Sequence, residues 1–259
     1  MEWTPAIFML PTFLIIGAAR CGTTTLYTYL QSHPQIYLRP NKRPEPHFFF
    51  KDDEYAKGID YYQRNFFPAT GEWNAVGEAS TSYIFGPEVP GRIFRHLPEA
   101  RLVAILRNPI DRAYSNYRHS VRSGLETLDF ATAIERETER ETEIEGTPLA
   151  VIKPFSYIAR GFYHAQLKNF LSVFDRSQLA VLIFEEFCRA PGSALRHVCE
   201  FLGVDHEWQP DRLDIAVNQS EPGGETMGSA LRRRLARIYS DDVALLSGLL
   251  DRDLTFWLE

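Results

Sequence analysis

The stretch Thr12-Phe-Leu-Ile-Ile16 is an unbroken apolar run that stops at Gly17, and a second glycine, Gly22, follows before a helical pattern begins. A run without polar alternation reads as a strand covered on both faces, the situation of a central strand in a parallel sheet. After Gly22, the hydroxyls of Thr23, Thr24 and Thr25 precede Leu26, Tyr27, Tyr29 and Leu30 at helical spacing, and His33-Pro34 ends the helix. The unit is strand, glycine loop, helix. It recurs at Leu102–Leu106, where Asn108-Pro109 opens a helix with Ala113, Tyr114, Tyr117 and Val121 along one side, and a third apolar strand is expected at Leu179–Ile183. Further helices are expected over Tyr55–Phe67, Pro87–His96, Gly161–Phe174, Pro191–Leu202 and 229–250, with a short strand over Ala75–Glu78. The sum is one α/β domain over residues 1–259, a mainly parallel sheet between layers of helices.

Composition narrows what such a domain does. At 259 residues with 44% hydrophobic content, the chain buries a core without disulfide or metal staples. Three cysteines, Cys21, Cys188 and Cys199, make no disulfide framework and point to a reducing compartment, the cytoplasm. Lys and Arg number 28 against 34 Asp and Glu, a net charge of -6, which disfavours a general nucleic-acid binder. The run Trp3–Ala18 is apolar, but Glu2, Pro5 and Pro11 suit neither an export signal nor a spanning helix of about 20 apolar residues, so it reads as a buried entry strand. His33, His96, His119, His164, His197 and His206 show no metal-ligand spacing, and no metal site is expected.

Gly17-Ala-Ala-Arg-Cys-Gly-Thr-Thr-Thr25 has the Gly-x4-Gly spacing of a loop that cradles an anion with its amide N–H groups and the positive end of the following helix. Gly17, Arg20, Cys21, Gly22, Thr23 and Thr24 are the expected contacts. A nucleoside-triphosphate loop continues Gly-Lys-[Ser/Thr]; here Thr23 stands in place of the lysine, and the loop's one cation is Arg20. That substitution argues against ATP or GTP hydrolysis. A second cluster, Leu106-Arg107-Asn108-Pro109-Ile-Asp111-Arg112-Ala-Tyr-Ser115, follows the second strand. Ligands of open parallel sheets collect beyond the carboxyl ends of the strands, so Arg107 and Ser115 are expected to hold a second phosphate. Arg112 reads as the partner of a nearby carboxylate, Asp111 or a neighbour.

Together these two motifs resemble those of sulfotransferases that use 3'-phosphoadenosine 5'-phosphosulfate. The first is similar to the family's 5'-phosphosulfate loop and the second to its 3'-phosphate motif. Glu45-Pro-His47-Phe-Phe-Phe50, Tyr55-Ala-Lys-Gly-Ile-Asp-Tyr-Tyr62 and Phe66-Phe-Pro68 are similar to the heparan-sulfate and carbohydrate branch, and the matches run from about Phe13 to Leu202, with a weaker tail at Asn218 and Trp257. The resemblance implies a P-loop-like domain around a five-stranded parallel sheet, that donor as co-substrate with the 3',5'-bisphosphate as product, and no metal. It also implies sulfuryl transfer to a glycan or small-molecule hydroxyl, less readily an amine.

In that branch the position of Glu45 serves as the catalytic base. The lysine usual before the glutamate is Pro44 here. His47 is the alternative base, although buried hydrogen-bonded packing beside Phe48 and Phe49 is its favoured reading. Arg20 is the expected stabiliser of the leaving oxygen, where the family more often has lysine. Glu78-Ala-Ser-Thr-Ser-Tyr83 is similar to the family's Glu-Lys-[Ser/Thr]-Pro-x-Tyr segment with Ala79 in place of lysine; Glu78 either orients the acceptor or joins an ion pair. Arg160-Gly161-x-Tyr163 is a further candidate contact.

Several segments are expected to be plain surface. Leu38–Pro46, with Pro40, Pro44 and Pro46 among Arg39, Lys42 and Arg43, reads as a loop. The stretch from Glu126 to Glu145, with eight acidic residues, reads as a solvated helical flap, or else a lid. The basic face of Arg232, Arg233, Arg234 and Arg237 reads as a solvated helix, or as a closure over the 3'-phosphate. Two other classes stay open: a nucleotide kinase or triphosphatase with a degenerate loop, and a catalytically silent nucleotide-binding protein.

Overall fold

The computed structural model describes residues 9–40, 45–67, 72–147, 153–213 and 227–259. Part of the Trp3–Ala18 run, Lys42, Arg43, Pro44 and Asn218 lie outside them. In chain order the elements are β1 (Phe13–Gly17), α1 (Thr23–Gln31), β2 (Ile36–Leu38), α2 (Asp52–Tyr55), α3 (Ile59–Phe66), β3 (Ala75–Ala79), α4 (Val89–His96), β4 (Arg101–Leu106) and α5 (Pro109–Arg122). There follow α6 (Phe130–Glu135), α7 (Glu137–Glu143), α8 (Tyr163–Leu171), β5 (Leu179–Ile183), α9 (Phe184–Arg189), α10 (Pro191–Leu202) and α11 (Ser229–Leu250). Two compact units divide the chain: Met1–Leu106 with Asn169–Asn218, and Arg107–Lys168 with Gln219–Glu259.

The first unit holds a five-stranded sheet in the order β2-β3-β1-β4-β5, with every pairing parallel. Apolar runs make this possible, since a strand between two helical layers must be covered on both faces. Phe13, Leu14, Ile15 and Ile16 are fully buried at the sheet's centre. The packing is close: a Cβ on Gly77, which pairs with Phe13, would stand 2.3 Å from that phenyl ring. The expected strands and most helices form. Gly58, at φ 83, divides the expected Tyr55–Phe67 helix into α2 and α3. The edge strand β2 and the short helix α9 were not expected.

The second unit is helical, and its polar residues correct the sequence reading. Asn108 caps α5, accepting from the N–H of Ile110 at 2.9 Å, and donates to the Trp257 carbonyl at 2.8 Å. Arg112 does not pair with Asp111. It is fully buried and donates to the carbonyls of Tyr157 and Ser156, while Asp111 pairs with Arg232 at 2.7 Å.

Nor is the acidic stretch a solvated flap throughout. Buried Glu126 accepts from Arg140, from the Tyr157 hydroxyl at 2.7 Å and from the N–H groups of Thr127 and Leu128. Buried Glu137 accepts from the N–H groups of Ile158 and Ala159 at 2.6 and 2.9 Å. These carboxylates tie helices to loops, because a buried carboxylate is tolerated only when donors surround it. On the basic face of α11, Arg232 and Arg234 pair with Asp111 and Glu135.

Gly77→Ala is expected to destabilise the first unit by about 1 to 3 kcal/mol through overpacking against Phe13. Chemical unfolding followed by tryptophan fluorescence measures it, and an unchanged midpoint would contradict the close contact.

Candidate functional site

The loop after β1 is shaped by what stands beside it. A Cβ on Gly17 would lie 2.5 Å from Ile84 Cγ2 and 3.3 Å from the Thr81 carbonyl oxygen, so only glycine fits there. Gly22, in the left-handed region at φ 87, would put a Cβ 3.0 Å from the Phe184 ring. Arg20 is also left-handed, at φ 70, a conformation that costs a non-glycine residue of order 1 kcal/mol or more and is concentrated at functional sites. The N–H of Ala18 donates to the Ile105 carbonyl at 2.8 Å, which ties the loop to β4. Buried Cys21 donates its thiol to the Ala19 carbonyl at 3.6 Å.

Helix α1 begins directly at Thr23, with no side-chain cap from Gly22 and no acidic residue in its first turn. Its positive end is therefore not neutralised by a carboxylate of its own. Arg20, Thr24 and Thr25 are half-buried and Thr23 is buried. The groups gathered here are the N–H groups of the first turn of α1, threonine hydroxyls and one guanidinium, all donors of the kind that suit an anion.

Beside this loop lies a polar cluster built on the carboxyl end of β3. Glu45 Oε2 accepts from the Thr81 N–H at 2.8 Å and from the Thr81 hydroxyl at 2.9 Å, with His47 Nε2 at 3.7 Å. His47 is hydrogen-bonded but only half-buried: its side chain is 28% exposed, its Nδ1 lies 2.7 Å from Ser82 Oγ, and its N–H donates to Ser80 Oγ at 2.9 Å. Phe48 and Phe49 next to it are fully buried; Phe48 stacks on Tyr62 with centroids 4.4 Å apart, and the two rings anchor the segment that carries Glu45.

Glu78 lies beneath the cluster; it is buried, and no ion pair forms to it among the described residues. Its carboxyl accepts from the Tyr62 hydroxyl at 2.9 Å and from Ser80 Oγ at 3.1 Å, and Tyr83 bonds to it as well. Burial pushes its pKa up to about 7, against the lowering effect of those three hydroxyls, and the charge of Glu45 raises it further.

The expected contacts Gly17, Arg20, Cys21, Gly22, Thr23 and Thr24 and the candidate bases Glu45 and His47 all belong to the first unit. Arg107 and Ser115 belong to the second, Arg107 half-buried and Ser115 buried within α5. In that unit Gly161 lies against Tyr239, whose hydroxyl would be 2.7 Å from an added Cβ, and Tyr163 is buried edge-on to Trp257. Arg39 lies with its guanidinium 5.1 Å from the Phe66 ring centre. Among the described residues no group of His, Cys, Asp or Glu is arranged to hold a metal ion, and no helix is long and apolar enough to cross a membrane.

Because the folded protein holds a proton on Glu78 that the unfolded chain releases at ordinary carboxyl pH, this site favours folding in acid. The advantage is lost as pH rises from about 4.5 to about 7. Wild type is expected to lose up to about 3 kcal/mol relative to Glu78→Gln over that window. Denaturant midpoints for both proteins at pH 5 and pH 8 measure the difference, and parallel changes would refute it.

A model of the sulfotransferase domain matches residues 10–221 of the chain. A crystal structure of a sulfotransferase from Alicyclobacillus acidocaldarius is 37% identical, with a TM-score of 0.83 over 97% of this chain and all of that one. Mouse bifunctional heparan sulfate N-deacetylase/N-sulfotransferase 4 is 32% identical over 203 residues, which are 75% of this chain but 22% of the mouse protein. Mouse heparan sulfate glucosamine 3-O-sulfotransferase 3A1 is 30% identical over 195 residues, 75% of this chain and 46% of that protein. The chain thus spans about a fifth of the first relative and under half of the second. A glycine loop whose lysine is replaced by threonine, an all-parallel sheet with β1 at its centre, and a family match over most of the length place this chain in the sulfotransferase family.

Proposed function

We propose that the chain, as one sulfotransferase domain over residues 1–259, moves a sulfuryl group from 3'-phosphoadenosine 5'-phosphosulfate to a hydroxyl, less readily an amine, of a glycan or small-molecule acceptor. The observation that carries this reading is the join between the anion loop and Glu45: Thr81 packs its carbonyl against Gly17 and gives both of its donors to Glu45. A base and an anion cradle are thereby held within one unit, at the carboxyl ends of neighbouring strands, where open parallel sheets bind ligands. The donor supplies an activated sulfur and a leaving group that departs as a phosphate oxyanion. Arg20 and the amides at the start of α1 stabilise that oxygen as charge develops. Glu45 takes the proton of the attacking hydroxyl, with His47 beside it as the alternative acceptor.

By resemblance, Arg107 and Ser115 hold the 3'-phosphate. Arg107 supplies the planar fork that suits a phosphate, and Ser115 supplies a hydroxyl. The names of the two mouse relatives support a glycan acceptor. Buried Cys21 and Cys199 and exposed Cys188 carry thiols, which suits the reducing cytoplasm. A kinase or triphosphatase reading is not favoured, because Thr23 removes the lysine that its chemistry needs.

Calorimetric titration with 3',5'-adenosine bisphosphate is expected to show binding that magnesium does not change; binding of ATP only with magnesium would reverse the assignment. With labelled donor and a panel of desulfated glycans, wild type is expected to give sulfated product. Glu45→Gln should slow transfer by about 10² to 10⁴ and Arg20→Ala by about 10² to 10³. Tight bisphosphate binding with no product from any acceptor would favour the silent nucleotide-binding protein.

A further inference from the structure

Three consecutive hydroxyl residues, Ser80-Thr81-Ser82, leave the end of β3, and each of them reaches the Glu45–His47 segment. Ser80 receives the His47 N–H, Thr81 donates twice to Glu45 Oε2, and Ser82 meets His47 Nδ1. The run is pinned to the centre of the sheet. The N–H of Ser80 donates to the Ile15 carbonyl at 3.1 Å, and its hydroxyl donates to buried Glu78. Thr81 also faces the anion loop, its carbonyl oxygen 3.3 Å from where a Cβ on Gly17 would stand.

We propose that Thr81 is a positioning residue that sets the Glu45 carboxylate against the start of the anion loop, acting through Glu45; this rests on the reading of Glu45 as the base. A glutamate side chain turns about three bonds, and its last torsion is broad. Two charge-assisted hydrogen bonds from one residue, converging on one oxygen, fix that torsion and the place of the second oxygen with it. The donors are anchored in turn: one is main chain, and its residue continues directly from a central strand. Placement matters because a shift of about 1 Å in a reacting group costs on the order of a hundredfold in rate. Thr81 stands where the similar segment of the family has proline, which offers neither an N–H nor a hydroxyl, so this pair of bonds depends on the residue this chain carries there.

The test uses the full chain and two acceptors, a heparosan oligosaccharide and water. With water, the bond from sulfur to the bridging oxygen breaks and a bond from sulfur to the water oxygen forms. The proton passes to Glu45 and then to solvent, and the products are sulfate and 3',5'-adenosine bisphosphate. Thr81→Val, which keeps the shape and loses the hydroxyl, is expected to lower kcat on the order of tenfold to a hundredfold, the range for a hydrogen bond to a charged group, with the donor KM within about twofold. Thr81→Ser, which keeps both donors, should restore the rate. In a Glu45→Gln background Thr81→Val should add less than about twofold, because its effect travels through the carboxylate.

Should Thr81→Val unfold on a thermal scan, Thr81→Ala takes its place beside the serine variant. Wild-type kcat in the valine or alanine variant, failure of serine to restore it, or a loss that multiplies fully onto that of Glu45→Gln would each overturn the inference. Undiminished turnover by Glu45→Gln, or no turnover by wild type with either acceptor, would instead overturn the reading beneath it.

Discussion

The carboxyl end of β1 has no spare room, and that crowding organises the first unit. Ile84 fills the space where a side chain on Gly17 would be, so the chain turns there through a residue without a Cβ and enters helix α1 after a short loop. Gly22, against the Phe184 ring, closes the loop from the other end. Between these two glycines the loop is held through its backbone, the Ala18 N–H donating to the Ile105 carbonyl and the Cys21 N–H to the Ala18 carbonyl. The residues that crowd Gly17 are also those that lead to Glu45, since Thr81 and Ile84 lie on the same stretch after β3.

Polar burial does comparable work in both units. Glu78 in the first and Glu126 and Glu137 in the second are carboxyls withdrawn from water and ringed by hydroxyls, amides or a guanidinium. Their electrostatics differ. Burial outweighs the hydroxyl donors at Glu78 and leaves its pKa raised, whereas at Glu126 the Arg140 guanidinium, the Leu128 amide and the Tyr157 hydroxyl outweigh burial and leave it lowered. One carboxyl is thus poised to change charge near neutrality and the other is held as an anion.

Much of the frame was legible because it rests on short-range physics. Unbroken apolar runs mark β1, β4 and β5, and the caps at Asn108-Pro109 and Pro191 mark helix starts. Strand β2 escaped notice because three residues are too few to show a period, and because prolines follow it closely. The acidic stretch was misread for a different reason. Charge runs are usually solvated, and nothing local to Glu126 or Glu137 announces Tyr157, Ile158 and Ala159, which lie 21 to 31 positions further along. The roles of Ser80, Thr81 and Ser82 were equally hidden, since hydroxyls after a strand acquire meaning only when another segment is folded onto them.

Arg20 carries a consequence for how such a chain could change. Its backbone occupies a region that glycine enters freely and any side chain with a Cβ resists. Breeding for heat resistance alone would drift toward glycine at that position and discard the guanidinium, whereas the proposed role in turnover would require the cation and the contorted main chain together. If Arg20 acts as proposed, folding stability and turnover favour different residues at this one codon.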